Sequence, residues 1–172
     1  RQARPARSSP RPVDSTPPAN RRPPANRTTV VINELMAAND RTVASPKGKF
    51  EDWIELFNRG DRPVDISGFF LSDSSDSLRK WSFPIGTIIP AGGYLVIWAD
   101  KHNEPSRSLH ANFKLAKGGE TIQLIDSDKA GNSILDEVTF TKLGPDSAFR
   151  RLPDGKGNFS VGAASPGTDN TK

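Results

Sequence analysis

From Val30 onward, short apolar runs alternate with clusters of Gly, Pro, Asn and Asp. Runs of a few β-branched and aromatic residues bounded by turn formers predict strands. On this pattern, strands are expected at Val30–Met36, Asp52–Asn58, Lys80–Phe83, Tyr94–Ala99, Thr121–Asp126, Ile134–Thr141 and Ala148–Leu152. Val64–Ile66 and Phe69–Asp73 form one further region, bent at Ser67 and Gly68, and Ala111–Leu115 reads as a short edge strand. Tyr94–Ala99 is apolar on both faces, so it belongs near the centre of a sheet. The loop S-D-K-A-G-N-S joins two strands as a hairpin, and P-D-G-K-G-N makes a later turn. No segment carries apolar residues at helical spacing over more than two turns.

Eight or nine short strands separated by turns imply an all-β sandwich, with aligned sheets and Greek-key connections. The chain has no Cys, so packing must come from apolar side chains alone. The expected core is Trp53, Ile54, Leu56, Leu95, Ile97, Trp98, Ile122, Leu124, Val138 and Phe140. A large apolar side chain, fully buried, contributes about 1.5–3 kcal/mol.

Composition divides the chain. Residues 1–29 contain seven Pro, seven Arg and one Asp, a charge of +6, so of the +4 total the remaining residues 30–172 carry −2. Proline removes donors and restricts its preceding neighbour, and this arm has too little apolar surface to offset chain entropy. It is expected to be a disordered, polyproline-II-rich linker or arm (1–29) before one folded domain (30–172). The basic character belongs to the arm, so the folded part does not read as a domain built for nucleic acid. No apolar run is long enough for a membrane-spanning helix.

Five motifs in order resemble the lamin tail domain family, in its prokaryotic branch. They are I-N-E-L-M-A (32–37), D-W-I-E-L-F-N (52–58), P-V-D-I-S-G-F-F-L-S-D (63–73), W-S-F-P-I-G-T-I-I-P-A-G-G-Y-L-V-I-W-A-D (81–100) and S-P-G-T-D-N (165–170). The resemblance covers Val30 to Asn170. It implies an immunoglobulin-like β-sandwich. It does not imply filament formation, which needs a heptad coiled coil absent from these residues. It also implies an accessory module of an exported or cell-surface bacterial protein, in some cases beside a nuclease or other catalytic domain.

No catalytic set stands out. The two histidines, His102 and His110, fall in one polar connection and read as solvated loop residues. A Ser–His–Asp set would need a buried acid behind the His and a Ser on a sharp turn, and no G-x-S-x-G occurs. Glu34 and Glu55 lie within apolar strands. They are expected to face outward or to pair with an Arg or Lys such as Arg150 or Arg151; the alternative is a paired acid/base site of the glycosidase kind. Asp126 to Glu137 nearly matches a calcium loop, with Asp126, Asp128 and Glu137 as ligands. Ala130 stands where that loop needs an oxygen ligand, and a plain hairpin loop explains the same residues. Asp73, Asp76 and Asp100 form a looser acidic group. Arg79-Lys80-Trp81 and Phe149-Arg150-Arg151 place cations beside aromatics, the pattern of a partner or nucleic-acid contact.

Two functional classes are compatible with these residues. The first is a noncatalytic interaction or scaffolding module that needs no cofactor and meets a protein or surface polymer. The second is a ligand-binding module for calcium, glycan or nucleic acid that serves an enzyme elsewhere in a longer protein. Nucleic acid would be met weakly, through the Arg-rich arm.

Overall fold

The computed structural model describes residues 28–102 and 108–170; the Pro/Arg-rich arm up to residue 27 lies outside them. Twelve strands occur in the described residues: β1 (Val30–Met36), β2 (Asp52–Asn58), β3 (Val64–Asp65), β4 (Phe70–Ser72), β5 (Trp81–Ser82), β6 (Ile88–Ile89), β7 (Tyr94–Ala99), β8 (Leu109–Ala111), β9 (Gly119–Ile125), β10 (Ile134–Thr141), β11 (Ala148–Leu152) and β12 (Asn158–Gly162). They form a six-stranded sheet in the order β12-β11-β1-β2-β7-β8 and a four-stranded sheet in the order β10-β9-β4-β5, with β3 and β6 paired separately.

Alternation decides what each face of the large sheet meets. In β2 and β7, Ile54, Leu56, Leu95, Ile97 and Ala99 point into the main core. Trp53, Val96 and Trp98 point the other way, with Met36, into a second apolar cluster on the outer face. The register sets Trp53 opposite Trp98 and Ile54 opposite Ile97, so like meets like across the strands. All ten expected core residues are buried except Leu95, which is half-buried, but Trp53 and Trp98 belong to the outer cluster.

Two bulges set the polar links between the sheets. The β1–β2 register shifts between Ile32 and Glu34, leaving Asn33 without a cross-strand partner. An extra residue resets sidedness, so Ile32 and Leu35, three apart, both face the core. The backbone groups freed at Ile32 are taken up by side chains: its N–H donates to Asp136 Oδ2 at 2.8 Å, from β10 across the sandwich, and its carbonyl accepts from Arg151 Nε at 3.0 Å, from β11 in the same sheet. Asp136 is itself placed by the second bulge, between Ile134 and Asp136 in β10.

The edge strand expected at Ala111–Leu115 is displaced. β8 ends at Ala111 and lies parallel to β7, and Phe113 and Leu115 pack into the core from the loop beyond. The hydrophobic pattern predicts neither β6 nor β12. Both are short, and β12 closes one edge of the large sheet against β11.

Candidate functional site

The outer face of the large sheet carries a dense polar construction. Glu34 of β1 and Glu55 of β2 are directly opposite in register, and both are 0% exposed. The cover is the segment 163–170, which returns across the face after β12. Ser165 donates its N–H to Glu34 Oε1 at 3.0 Å and its hydroxyl approaches Oε2 at 3.2 Å. Gly167 N–H donates to Glu55 Oε2 at 2.5 Å. The bulge residue Asn33 donates to Glu55 Oε1 at 3.1 Å and accepts from Gly155 N–H at 3.0 Å. Asn170, fully buried, donates through its amide side chain to the carbonyls of Asn33 and Arg151. Ala164 packs on the Trp53–Trp98–Met36 cluster beside it.

Neither alternative read from the sequence describes this pair. The carboxylates lie on the outer face of the sheet but are covered rather than solvated, and neither is in an ion pair with an Arg or Lys among the described residues. Arg151 is held by Asp136 at 2.9 Å, and Arg150 donates to the Asn170 carbonyl at 2.8 Å. Arg150 does pull Glu34 toward its charged form, but burial dominates and raises the Glu34 pKa to about 7. Burial raises Glu55 further, to about 8, and the neighbouring Glu34 and Asp154 add to the rise. Full burial under 163–170 also keeps a sugar ring from lying between the carboxyls, as a glycosidase requires. The sequence signal for the site was the S-P-G-T-D-N motif together with a Glu in each of two apolar strands; that these would meet depended on the bulge at Asn33.

A second polar cluster ties β8 to the end of β7. His110 Nδ1 lies 2.7 Å from Asp100 Oδ2, and His110 Nε2 lies 2.8 Å from Ser108 Oγ. The side chains of His110 and Asp100 are 2% and 4% exposed. His102 is half-exposed and reaches the same Asp100 oxygen at 3.2 Å. The expectation of two solvated loop histidines therefore fails for His110: it sits on a strand with a buried acid behind it. Ser108, His110 and Asp100 have the connectivity of an acyl-transfer relay, but their evident work is to anchor a three-residue parallel strand at the sheet edge. His110→Ala should lower stability by about 1–3 kcal/mol, because Asp100 stays buried with one partner fewer; chemical denaturation reads this directly.

The remaining candidates are dispersed. Trp81 is 6% exposed and packs edge-on against Phe83, so it offers no stacking face. Lys80 pairs with Asp73 at 2.5 Å and lies over the Phe113 ring. Arg79 pairs with Asp128 at 2.8 Å. Arg151 stacks on Phe159. The calcium ligands are not gathered: Asp126 accepts from Ser127 N–H, Asp128 is taken by Arg79 and Asn132, and Glu137 accepts from Gln123. The loop is a hairpin with a short 3-10 turn closed by Gly131 at φ 92°. Among the described residues, no group of three His, Cys, Asp or Glu could hold a metal ion. Asp73, Asp76 and Asp100 do not act together either, since the first and last have separate partners and Asp76 is exposed. Arg79→Ala, which removes a pair more than half-exposed on both sides, should change stability by no more than about 1 kcal/mol in the same denaturation assay.

Two packed, mainly antiparallel sheets form an immunoglobulin-like sandwich. A model of the Lamin Tail Domain matches residues 23–142, and the chain belongs to that family. Domains of this family are immunoglobulin-like, non-enzymatic and commonly engaged in interactions. The matched residues run through β10; β11, β12 and the covering segment lie beyond them. No curated protein matches the chain. Among the described residues, no helix is long and apolar enough to cross a membrane.

Proposed function

We propose that this chain is a noncatalytic interaction module, an accessory domain of a larger exported or cell-surface protein, and that it meets a protein partner through the turn between β5 and β6. One observation carries the reading: Ile85 is 98% exposed at the tip of a braced turn. Gly86 N–H donates to Ser67 Oγ at 2.9 Å, and Thr87 donates to the Pro84 carbonyl through both its N–H (3.3 Å) and its hydroxyl (2.7 Å). Ser67 is held in turn by Asp65. Gly86 has φ 85°, a backbone conformation a side chain resists, so the turn needs glycine there. Ile88, 54% exposed, extends the apolar tip along β6.

A large apolar side chain held fully in water gains nothing for the isolated fold. Because the turn's backbone is already braced, only side-chain freedom is lost when a partner covers it. The double variant Ile85→Glu/Ile88→Glu tests this in the full-length protein. It should keep its unfolding free energy within about 0.5 kcal/mol of wild type, as surface changes do. In gel filtration of native extracts the wild type should elute in high-mass fractions and the variant should leave them. A variant that stays in those fractions would reject the tip as the contact.

A further inference from the structure

We propose that the outer face of the large sheet is a peptide groove that holds the chain's own residues 163–170, and that ionisation of the Glu34–Glu55 pair releases them. This goes beyond the interaction reading and does not rest on it, since it concerns the face opposite the core rather than the β5–β6 tip.

The geometry has three parts. First, the groove floor is a cross-strand row: Arg150 stands opposite Glu34, and Glu34 opposite Glu55. Second, the occupant recognises this floor mainly through backbone. Two N–H groups two residues apart, Ser165 and Gly167, each meet one carboxyl, and Pro166 between them has no N–H to spend. Third, both ends of the segment are fastened. Ala164 is held on the tryptophan cluster. Asn170 is held by Asn33, Arg151, Arg150 and Asp154, and the Ser165 hydroxyl donates to Asn170 Oδ1 at 2.7 Å, closing the segment on itself.

Two buried carboxyls side by side cannot both ionise without cost. The charges that face them divide. Arg150 from β11 favours ionised Glu34, whereas Asp154, in the turn after β11, disfavours ionisation of both. The Tyr94 hydroxyl from β7 is occupied by Asp154 at 2.5 Å and supplies no counter-charge. Asp169 on the covering segment adds a further negative charge near Tyr94.

The closed state raises Glu34 to about 7 and Glu55 to about 8 from an ordinary 4.5. Burial is the largest cause of both rises and outweighs the Ser165, Gly167 and Asn33 donors, which favour the charged forms, so closure holds protons that a solvated, open pair sheds. Closure is strongest below the ordinary carboxyl range, weakens as pH rises, and has lost this contribution above about 8. Each carboxyl changes the open population by up to about tenfold per pH unit inside its window.

Hydrogen exchange on the full chain reads the outcome, with protection at the Ser165 and Gly167 amides corrected for intrinsic exchange. Between about pH 6 and pH 9, protection should fall by at least about a hundredfold at these two amides, while Ile54 in β2 keeps its protection. In Glu55→Gln, neutral and of the same shape, the fall should shrink to about tenfold, the part left to Glu34. Flat protection in the wild type, an equal fall at Ile54, or an unchanged fall in Glu55→Gln would each overturn the proposal. Should that variant fail to fold, the Glu55 side-chain carboxyl is followed by carbon NMR in the wild type. Its titration should be centred near 8 and coincide with amide release; a midpoint near 4.5 would overturn the proposal as firmly.

Discussion

Trp53→Ala should lower the unfolding free energy by about 3–5 kcal/mol, the range for deleting a large buried aromatic. Trp53 is 0% exposed and stands opposite Trp98 between β2 and β7. It shares the outer cluster with Met36, Trp98 and Ala148. Its indole N–H has no hydrogen-bond partner among the described residues, so what is lost is packing rather than a bond. The neighbours are anchored by strand pairing on both sides of β2, so they cannot collapse into the space. Urea unfolding of the full chain gives the number. A loss below about 1 kcal/mol would show that the outer cluster is not a second core.

Asn58→Ala should cost about 3 kcal/mol, from several buried groups left without partners at once. Asn58 is fully buried at the end of β2. Its side-chain amide donates to the carbonyls of Arg62, Ile89 and Pro90 at 2.7, 3.1 and 3.0 Å. Its oxygen accepts from the Thr29 hydroxyl at 2.6 Å and from Gly60 N–H at 3.0 Å. One side chain thus joins the entry to β1, the turn after β2 and the end of β6. Asn58→Asp keeps the acceptor, loses the donors and buries a charge, so it should cost at least as much as the alanine variant. Thermal and urea unfolding of the two variants check the order.

Much of the fold was legible because its long strands are short apolar runs bounded by turn formers. β1, β2, β7, β10 and β11 begin and end where the runs V-V-I-N-E-L-M, D-W-I-E-L-F-N, Y-L-V-I-W-A, I-L-D-E-V-T-F-T and A-F-R-R-L place them. The expected strand 121–126 begins two residues earlier and ends one earlier, at Gly119–Ile125. Short edge elements were not legible. β6 has two residues, and β12 carries only Phe159 and Val161 as large apolar side chains. β8 was misplaced because N-F-K-L beyond it is apolar in alternation yet packs from a loop.

The polar sites were legible in composition but not in arrangement. Glu34 and Glu55 were visible as carboxyls in apolar runs. Their juxtaposition depends on the one-residue bulge at Asn33, which no hydrophobic pattern reports. His110 sits between Leu109 and Ala111, a strand-like setting, but the buried acid behind it comes from the end of β7 through a parallel pairing. Trp81 follows two cations, yet β4–β5 pairing turns it inward.

A domain that acts by contact through the apolar tip between β5 and β6 must hold its partner within reach of residue 85. A photo-crosslinking residue placed at position 85 of the full-length protein, in its own cells, reads that contact, with position 139 on the outer edge of β10 as control. A discrete adduct from position 85, absent from position 139 and absent when Ile88→Glu is added, is the expected result. Adducts of equal yield from both positions, or none from position 85, would contradict it.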